Sequence, residues 1–315
     1  MKLQTNIPLK PSKNLLDYNS KIFLIGSCFV KNIGGKLEYF KFQNKINPLG
    51  ILFHPAAIAR FFERVANQTL FTESDLVFHN ERWHCMDAHS QWSGNDPKNV
   101  LENLNNSIKE ATDFLQNATH VIITLGTAWG YRYKKTGKPV ANCHKIPQKE
   151  FDKELAGIDA IYADLASILA VFQEINPQIR VVFTVSPVRH LKDGFVENQR
   201  SKAHLIAAVH QVIEKKDRAE YFPSYEIMMD ELRDYRFYDR DLLHPNPLAV
   251  DYIWEKFVHV YLSPKAQQWA EKIDEVQRAI AHRPFNPDSE AHGLFQKKLE
   301  RKKKQIEENL PNIRF

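Results

Sequence analysis

Three residues have the types and the neighbours to do chemistry together. Ser27 stands in Gly26-Ser27-Cys28, directly after the apolar run KIFLIG and before a helical pattern of Phe29, Ile33, Leu37 and Phe40. A hydroxyl at such a junction lies at the rim of a sheet. The helix N-terminus beside it offers backbone N–H groups that stabilise developing negative charge. A serine hydroxyl needs a base to become a useful nucleophile. Asp241 and His244 supply a candidate pair in DLLHPNP. A spacing of three on a tight turn lets the carboxylate hold one imidazole nitrogen while the other faces a hydroxyl. Each motif also suits a plainer role: Ser27 as a helix cap, and Asp241 or Asn246 as the cap of a helix with His244 at the surface.

The elements that must bring these segments together are legible as alternating strands and helices. Buried strands are expected at 21–26, 120–126 and 179–185, with shorter ones at 41–46 and 219–224. Helices are expected at 29–40, 55–66 with proline at N1, 97–115 capped by Asp96, within 148–175, and at 194–216, 224–232, 247–262, 264–282 and 287–308. Residues 67–96 and 127–147 read as irregular excursions, with a turn at KKTGKP. Continuous apolar strands separated by helices predict an α/β fold, a three-layer α/β/α sandwich around a mostly parallel sheet. Such sheets bind ligands outside the carboxyl ends of their strands. The informative segments are therefore GSCF, NPLG, GTAW, SPVRH and DLLHPN. The expected organisation is a lead-in at 1–20, a catalytic domain at 21–263 and a C-terminal helical extension at 264–315.

Those same segments carry a family resemblance. GSCFV, NPLGILFHP, TLGTAWGY, NCHK, TVSPVRHLKDG, ENQRSKAHL and DLLHPN, in that order over roughly residues 20–260, resemble the GSCFA-domain family within the SGNH/GDSL hydrolase superfamily. The resemblance implies an SGNH-like, flavodoxin-like sheet with Ser27 as nucleophile and Asp241 and His244 as the acid–base pair. It implies an oxyanion hole built from the Ser27 N–H, the Gly50 N–H and an asparagine. The asparagine of the superfamily's Gly-x-Asn-Asp is absent, because the chain reads Gly126-Thr127-Ala128-Trp129. Losing one such donor costs on the order of 3 kcal/mol. Asn142 is the candidate replacement, with Thr127 and the Ala128 N–H as alternatives.

Other polar residues are weaker signals. Arg189, His190, Asn198, Arg200 and Lys202 follow a strand and suit an anionic substrate as well as they suit a solvated surface. Trp129 and Tyr131 suit a substrate pocket or a core. Cys28 is expected to be packed rather than reactive. His84, Asp87 and His89 match no zinc spacing, so no metal and no cofactor is expected.

Composition bounds the remaining classes. The chain has 315 residues, 43% apolar and 26% charged, with a net charge of +5, much of it in KKLERKKK at 297–304. That run reads as a solvated helix end, and no nucleic-acid-binding motif accompanies it. Three cysteines make no disulfide framework, and the opening MKLQTNIPLK holds no apolar secretory segment. No apolar run reaches the roughly 18 residues of a membrane span. The expectation is a cytoplasmic protein, without nucleic acid or membrane span, acting on a small-molecule or carbohydrate ester. The activity expected is hydrolysis through an acyl-serine, or O-acyl transfer at the same site. A non-catalytic binding protein on the same scaffold is the alternative from another class. Nothing in the sequence specifies an oligomeric state.

Overall fold

KIFLIG contains no polar interruption because both faces of its strand are covered. In the computed structural model, which describes residues 5–315, it forms β1 (Lys21–Gly26), an interior strand of a five-stranded sheet. The chain continues through α1 (Phe29–Tyr39), β2 (Gln43–Ile46) and α2 (Pro55–Ala66). Next come the hairpin β3 (Leu76–His79) and β4 (Arg82–Cys85), then α3 (Pro97–Gln116) and β5 (His120–Leu125). An antiparallel trio follows: β6 (Trp129–Tyr133), β7 (Lys138–Val140) and β8 (Phe151–Leu155). After α4 (Ile158–Ile175), β9 (Arg180–Val185), α5 (Phe195–Ile213) and β10 (Ala219–Phe222) comes α6 (Ser224–Glu226), which runs on as a π-turn. The last helices are α7 (Pro247–Tyr261), α8 (Pro264–Ala281) and α9 (Glu290–Asn309).

The main sheet has the order β2-β1-β5-β9-β10, and every pairing is parallel. Counting those five strands alone, the order is 2-1-3-4-5, the flavodoxin-like doubly wound arrangement. Its topological switch point is the crevice between β1 and β5. Along β1 the pleat sends Phe23 and Ile25 into the core covered by α2, α3, α4 and α5. Ile22 and Leu24 enter the opposite core, with α1, α7, α8 and α9. Ile273, Val276, Leu299 and Ile306 of α8 and α9 are buried in that second core, so these helices cover the layer formed by α1 and α7. The KKLERKKK run lies on α9, with Lys302 paired to Glu275 of α8 at 2.7 Å.

The expected lead-in at 1–20 includes residues 1–4, which lie outside the described residues; Leu16 bridges to Leu262 beside the end of α7. Three expectations need correction. Residues 67–96 contain the hairpin β3–β4, closed by Asn80 and Glu81, both at positive φ. The stretch 127–147 contains β6 and β7. Residues 148–155 form a short 3-10 turn and β8, so a single helix occupies 158–175. No helix among the described residues is long and apolar enough to cross a membrane.

Candidate active site

β1 ends in a turn that only glycine can make. Gly26 has φ +141°, and a Cβ there would lie 2.1 Å from the Thr124 carbonyl oxygen of β5. The Gly26 N–H donates to Asn47 Oδ1 at 2.8 Å, and the Ser27 N–H to Thr124 O at 3.0 Å. This turn sends two successive side chains opposite ways. Ser27 goes inward: it is 1% exposed, and its Oγ has no hydrogen-bond partner. Cys28 opens α1 as its N-terminal cap, half-buried, and its Sγ lies 3.6 Å from His244 Nε2. The hydrogen bond expected between Ser27 and His244 is therefore not made. The imidazole meets Cys28 instead, because the serine hydroxyl is buried in the interior.

The acid–base pair forms as its spacing predicts. Leu242, at φ +59°, folds the chain so that Asp241 Oδ1 accepts from the N–H groups of Leu243 and His244, each at 2.9 Å. Asp241 Oδ2 then takes His244 Nδ1 at 2.6 Å. The cap of α7 is Asn246, which accepts from the Ala249 N–H at 3.0 Å, leaving Asp241 to the histidine. The N–H groups of His244 and Leu243, then the imidazole, hold the Asp241 carboxyl down at about 2. An ionised carboxylate on Nδ1 keeps that nitrogen protonated and turns the Nε2 lone pair toward the sulfur.

Two opposed effects act on the Cys28 thiol. Burial pushes it up and prevails, so the thiol lies above its ordinary range. The Lys202 ammonium, the N–H groups of Phe29 and Cys28 at the start of α1, and Lys31 pull it down. A thiol under a base, with backbone N–H groups directed at it, can attack a carbonyl carbon and support the charge that develops on the oxygen.

The donors named for the oxyanion hole are engaged elsewhere. The Ser27 N–H serves Thr124, as above. The Gly50 N–H donates to Asn47 O at 2.7 Å. Gly50 is instead required by its φ of +77° and by His89, whose Cβ would lie 2.4 Å from an added Cβ. Ala128 is fully buried and its N–H donates to Ser201 Oγ at 2.7 Å; Thr127 Oγ1 pairs with the same oxygen at 2.9 Å. The Asn142 backbone N–H donates to Met86 O, and its Oδ1 takes the His144 N–H at 2.9 Å and Ser90 Oγ at 3.5 Å. No hydrogen bond of Asn142 reaches Cys28, Asp241 or His244.

The substrate-binding candidates divide. Trp129 donates through Nε1 to Glu197 O at 3.3 Å, with Lys153 over its ring. Arg189 Nη2 donates to Leu242 O at 3.2 Å, tying the β9 loop to the Asp241–His244 turn, and its guanidinium lies 4.8 Å from the Tyr238 ring centroid. His190 is near both Lys202 and His244. Burial, then those two charges, pushes it down to about 4, and its Nε2 has no partner. Two candidates are corrected. Asn198 is 3% exposed and its Oδ1 accepts the His190 N–H at 2.8 Å; Lys202 is wholly buried. Neither is accessible to a substrate; both are enclosed by the packing of α5 against the sheet. Among the described residues, no group of three or more His, Cys, Asp or Glu side chains is placed to hold a metal ion. The neighbour of His244 that sequence reasoning did not place there is Cys28. Its signal was its place as the N-terminal cap of the helix, one step beyond the side chain that the turn buries.

A model of the GSCFA family matches residues 21–257, and one of the GSCFA domain protein, C-terminal domain, matches residues 273–315. No curated protein matches the chain. Among solved structures, a carbohydrate esterase family 3 from Talaromyces cellulolyticus is 10% identical, covering 80% of this chain and 98% of that one, with a TM-score of 0.37. An acetyl esterase mutant with acetate ion is 10% identical over 81% of this chain and 99% of that one, TM-score 0.37. An acetyl xylan esterase from the rumen bacterium Butyrivibrio proteoclasticus is 10% identical over 78% and 66%, TM-score 0.37.

Proposed function

The chain belongs to the GSCFA family, and from that premise we propose that it is an ester hydrolase of the SGNH/GDSL type working through an acyl-cysteine. Cys28 is the nucleophile, His244 the general base and acid, and Asp241 the group that orients it. One observation carries this reading: Cys28 Sγ, His244 and Asp241 form a continuous relay, 3.6 Å from sulfur to Nε2 and 2.6 Å from Nδ1 to carboxylate. The substrate class is a small-molecule or carbohydrate ester, and residues 21–263 are the catalytic unit that 264–315 covers.

In the first half-reaction His244 Nε2 takes the thiol proton and the sulfur attacks the ester carbonyl carbon. The carbonyl electron pair moves to oxygen, where the N–H groups of Cys28 and Phe29 stabilise it. Collapse expels the alcohol oxygen, which takes the proton from His244. In the second half-reaction His244 removes a proton from water, the hydroxide attacks the thioester, and Cys28 leaves as thiolate. An alcohol in the place of that water turns the same site into an O-acyltransferase.

The test compares hydrolysis of p-nitrophenyl acetate by the full chain, Cys28→Ala and Ser27→Ala. Cys28→Ala is expected to lose on the order of a thousandfold in kcat/KM. Ser27→Ala is expected to stay within severalfold of the unmutated chain, because its hydroxyl touches no reacting group. Rapid quenching should leave an acetyl group on the peptide that contains Cys28. Loss of activity in Ser27→Ala with survival in Cys28→Ala would overturn the assignment.

A further inference from the structure

Lys202 is among the largest fully buried side chains of the protein, and no carboxylate among the described residues lies within ion-pair distance of it. α5 carries its ammonium to the carboxyl edge of the sheet. There Nζ donates to two backbone carbonyls that follow adjacent strands, Gly126 O after β5 and Ser186 O after β9, each at 2.8 Å. Two neutral oxygens do not compensate the desolvation of a cation, so an ammonium at this place needs a further reason. Gly126 packs directly on the nucleophile turn: a Cβ built on it would lie 3.3 Å from Ser27 Cβ. The buried charge thus lies behind the Gly26-Ser27-Cys28 segment.

Building on the reading of Cys28 as nucleophile, we propose that Lys202 is a positioning residue of this site. Its ammonium, held by two carbonyls with no carboxylate of the described residues within ion-pair distance, is the positive charge behind the turn that stabilises the Cys28 thiolate. The groups around it fit that role. Cys28 faces it from the start of α1, the Tyr225 ring lies 5.4 Å away on α6, and Glu226 acts from the end of that helix. Glu226 is occupied by the Tyr221 hydroxyl at 2.8 Å. On the thiol itself, Lys202 is the largest influence opposing burial, ahead of Lys31. His190 feels Lys202 as a repelling charge, which helps to keep that imidazole neutral beside His244. Burial in turn draws Lys202 down to about 7, so its charge and the thiolate support one another.

The test reads the thiol rather than turnover. Cys143 is replaced by serine, and Cys85 is buried, so iodoacetamide reports Cys28. Alkylation rate is followed from pH 5 to pH 10 in the full chain with Lys202 intact, with Lys202→Met, and with Lys202→Gln, which keeps a donor for the carbonyls but no charge. Both variants should shift the midpoint upward by about one unit or more, making alkylation at pH 6 roughly tenfold slower. Profiles that superimpose on the Lys202 form would overturn the proposal. So would a shift in Lys202→Met that Lys202→Gln abolishes, which would assign the effect to the hydrogen bonds alone. A Cys28 that stays unreactive throughout with Lys202 present would instead overturn the nucleophile reading on which the proposal rests.

Discussion

Asp241→Asn distinguishes a thiol nucleophile from a hydroxyl one. Asp241 Oδ1 accepts two backbone N–H groups, from Leu243 and His244, each at 2.9 Å. An asparagine at 241 keeps those bonds only by leaving its carbonyl oxygen there. Its amide nitrogen then occupies the place of Oδ2, against His244 Nδ1. Two donors cannot face each other, so the histidine shifts to the tautomer with its proton on Nε2. That nitrogen now points a hydrogen at Cys28 Sγ and cannot accept the thiol proton. The equivalent change in a serine triad costs about ten-thousandfold in kcat. A thiol ionises within reach of ordinary buffers, so part of its deprotonation survives without the base. At pH 7 the expected loss is about a thousandfold, roughly 4 kcal/mol of transition-state stabilisation. Between pH 7 and pH 10 the deficit should shrink toward about tenfold, as bulk hydroxide replaces the missing base. Asp241 is 46% exposed on its side chain, so the melting temperature should barely move and the loss is catalytic. The assay is kcat/KM for p-nitrophenyl acetate across that range. A variant within tenfold of the unmutated chain at pH 7 would refute the relay. A deficit that stays constant to pH 10 would refute the thiol.

Gly26→Ala places a methyl group 2.1 Å from Thr124 O, in a backbone conformation that β-carbons disfavour, within the β1–β5 pairing. The expected cost is about 3 kcal/mol in urea unfolding, with activity falling as the Ser27–Cys28 turn shifts; a loss below about 1 kcal/mol would contradict the packing. Acid destabilisation should pass partly through His144. Its Nε2 contacts Cys85 O at 2.7 Å, and burial pushes it down to about 4. A histidine lowered on folding stabilises the native state fully above its unfolded value of about 6.5, and that contribution is lost as pH falls toward 4. The drop attributable to this residue is up to about 3 kcal/mol. Denaturation curves at pH 7 and pH 4 should show it, and His144→Gln should flatten the difference; an unchanged difference would place the acid sensitivity elsewhere.

The sheet and most helices were legible because they depend on rules local to each segment. HVIITL and RVVFTV are apolar apart from their first residue and one threonine each, since both faces of a parallel strand are covered. Asp96-Pro97 and Asn246-Pro247 open α3 and α7 with a capping side chain and a proline at N1. The antiparallel excursions were not legible for the same reason in reverse. LVFH and RWHC are four residues each, with histidine and arginine among them, and their turn is Asn80-Glu81. Both turn residues take positive φ without the glycine that announces such a hairpin. FDKEL of β8 is polar because three of its five residues face solvent, and it borders polar sequence that suits a helix just as well.

At the candidate site, the sequence held Ser27, Cys28, Asp241 and His244 but not which of the two neighbours meets the imidazole. A strand alternates its side chains and a helix rotates them, and Ser27 and Cys28 stand where one rule gives way to the other. The conformation of Gly26 decides which side chain turns outward, and residue types alone do not reveal a φ of +141°. The one-residue difference also changes what the missing asparagine means. A serine attack creates negative charge at the carbonyl oxygen from neutral reactants, so each oxyanion donor contributes heavily to the rate. A thiolate brings its charge to the encounter and transfers it to the oxygen. Electrostatic groups then act on a displacement of charge rather than on its creation, and fewer donors suffice. With Ala128 buried and its N–H given to Ser201, the chain lacks the donor that a serine mechanism would miss most. The N–H groups of Cys28 and Phe29 at the start of α1, with the Lys202 charge behind the turn, are a set suited to sulfur.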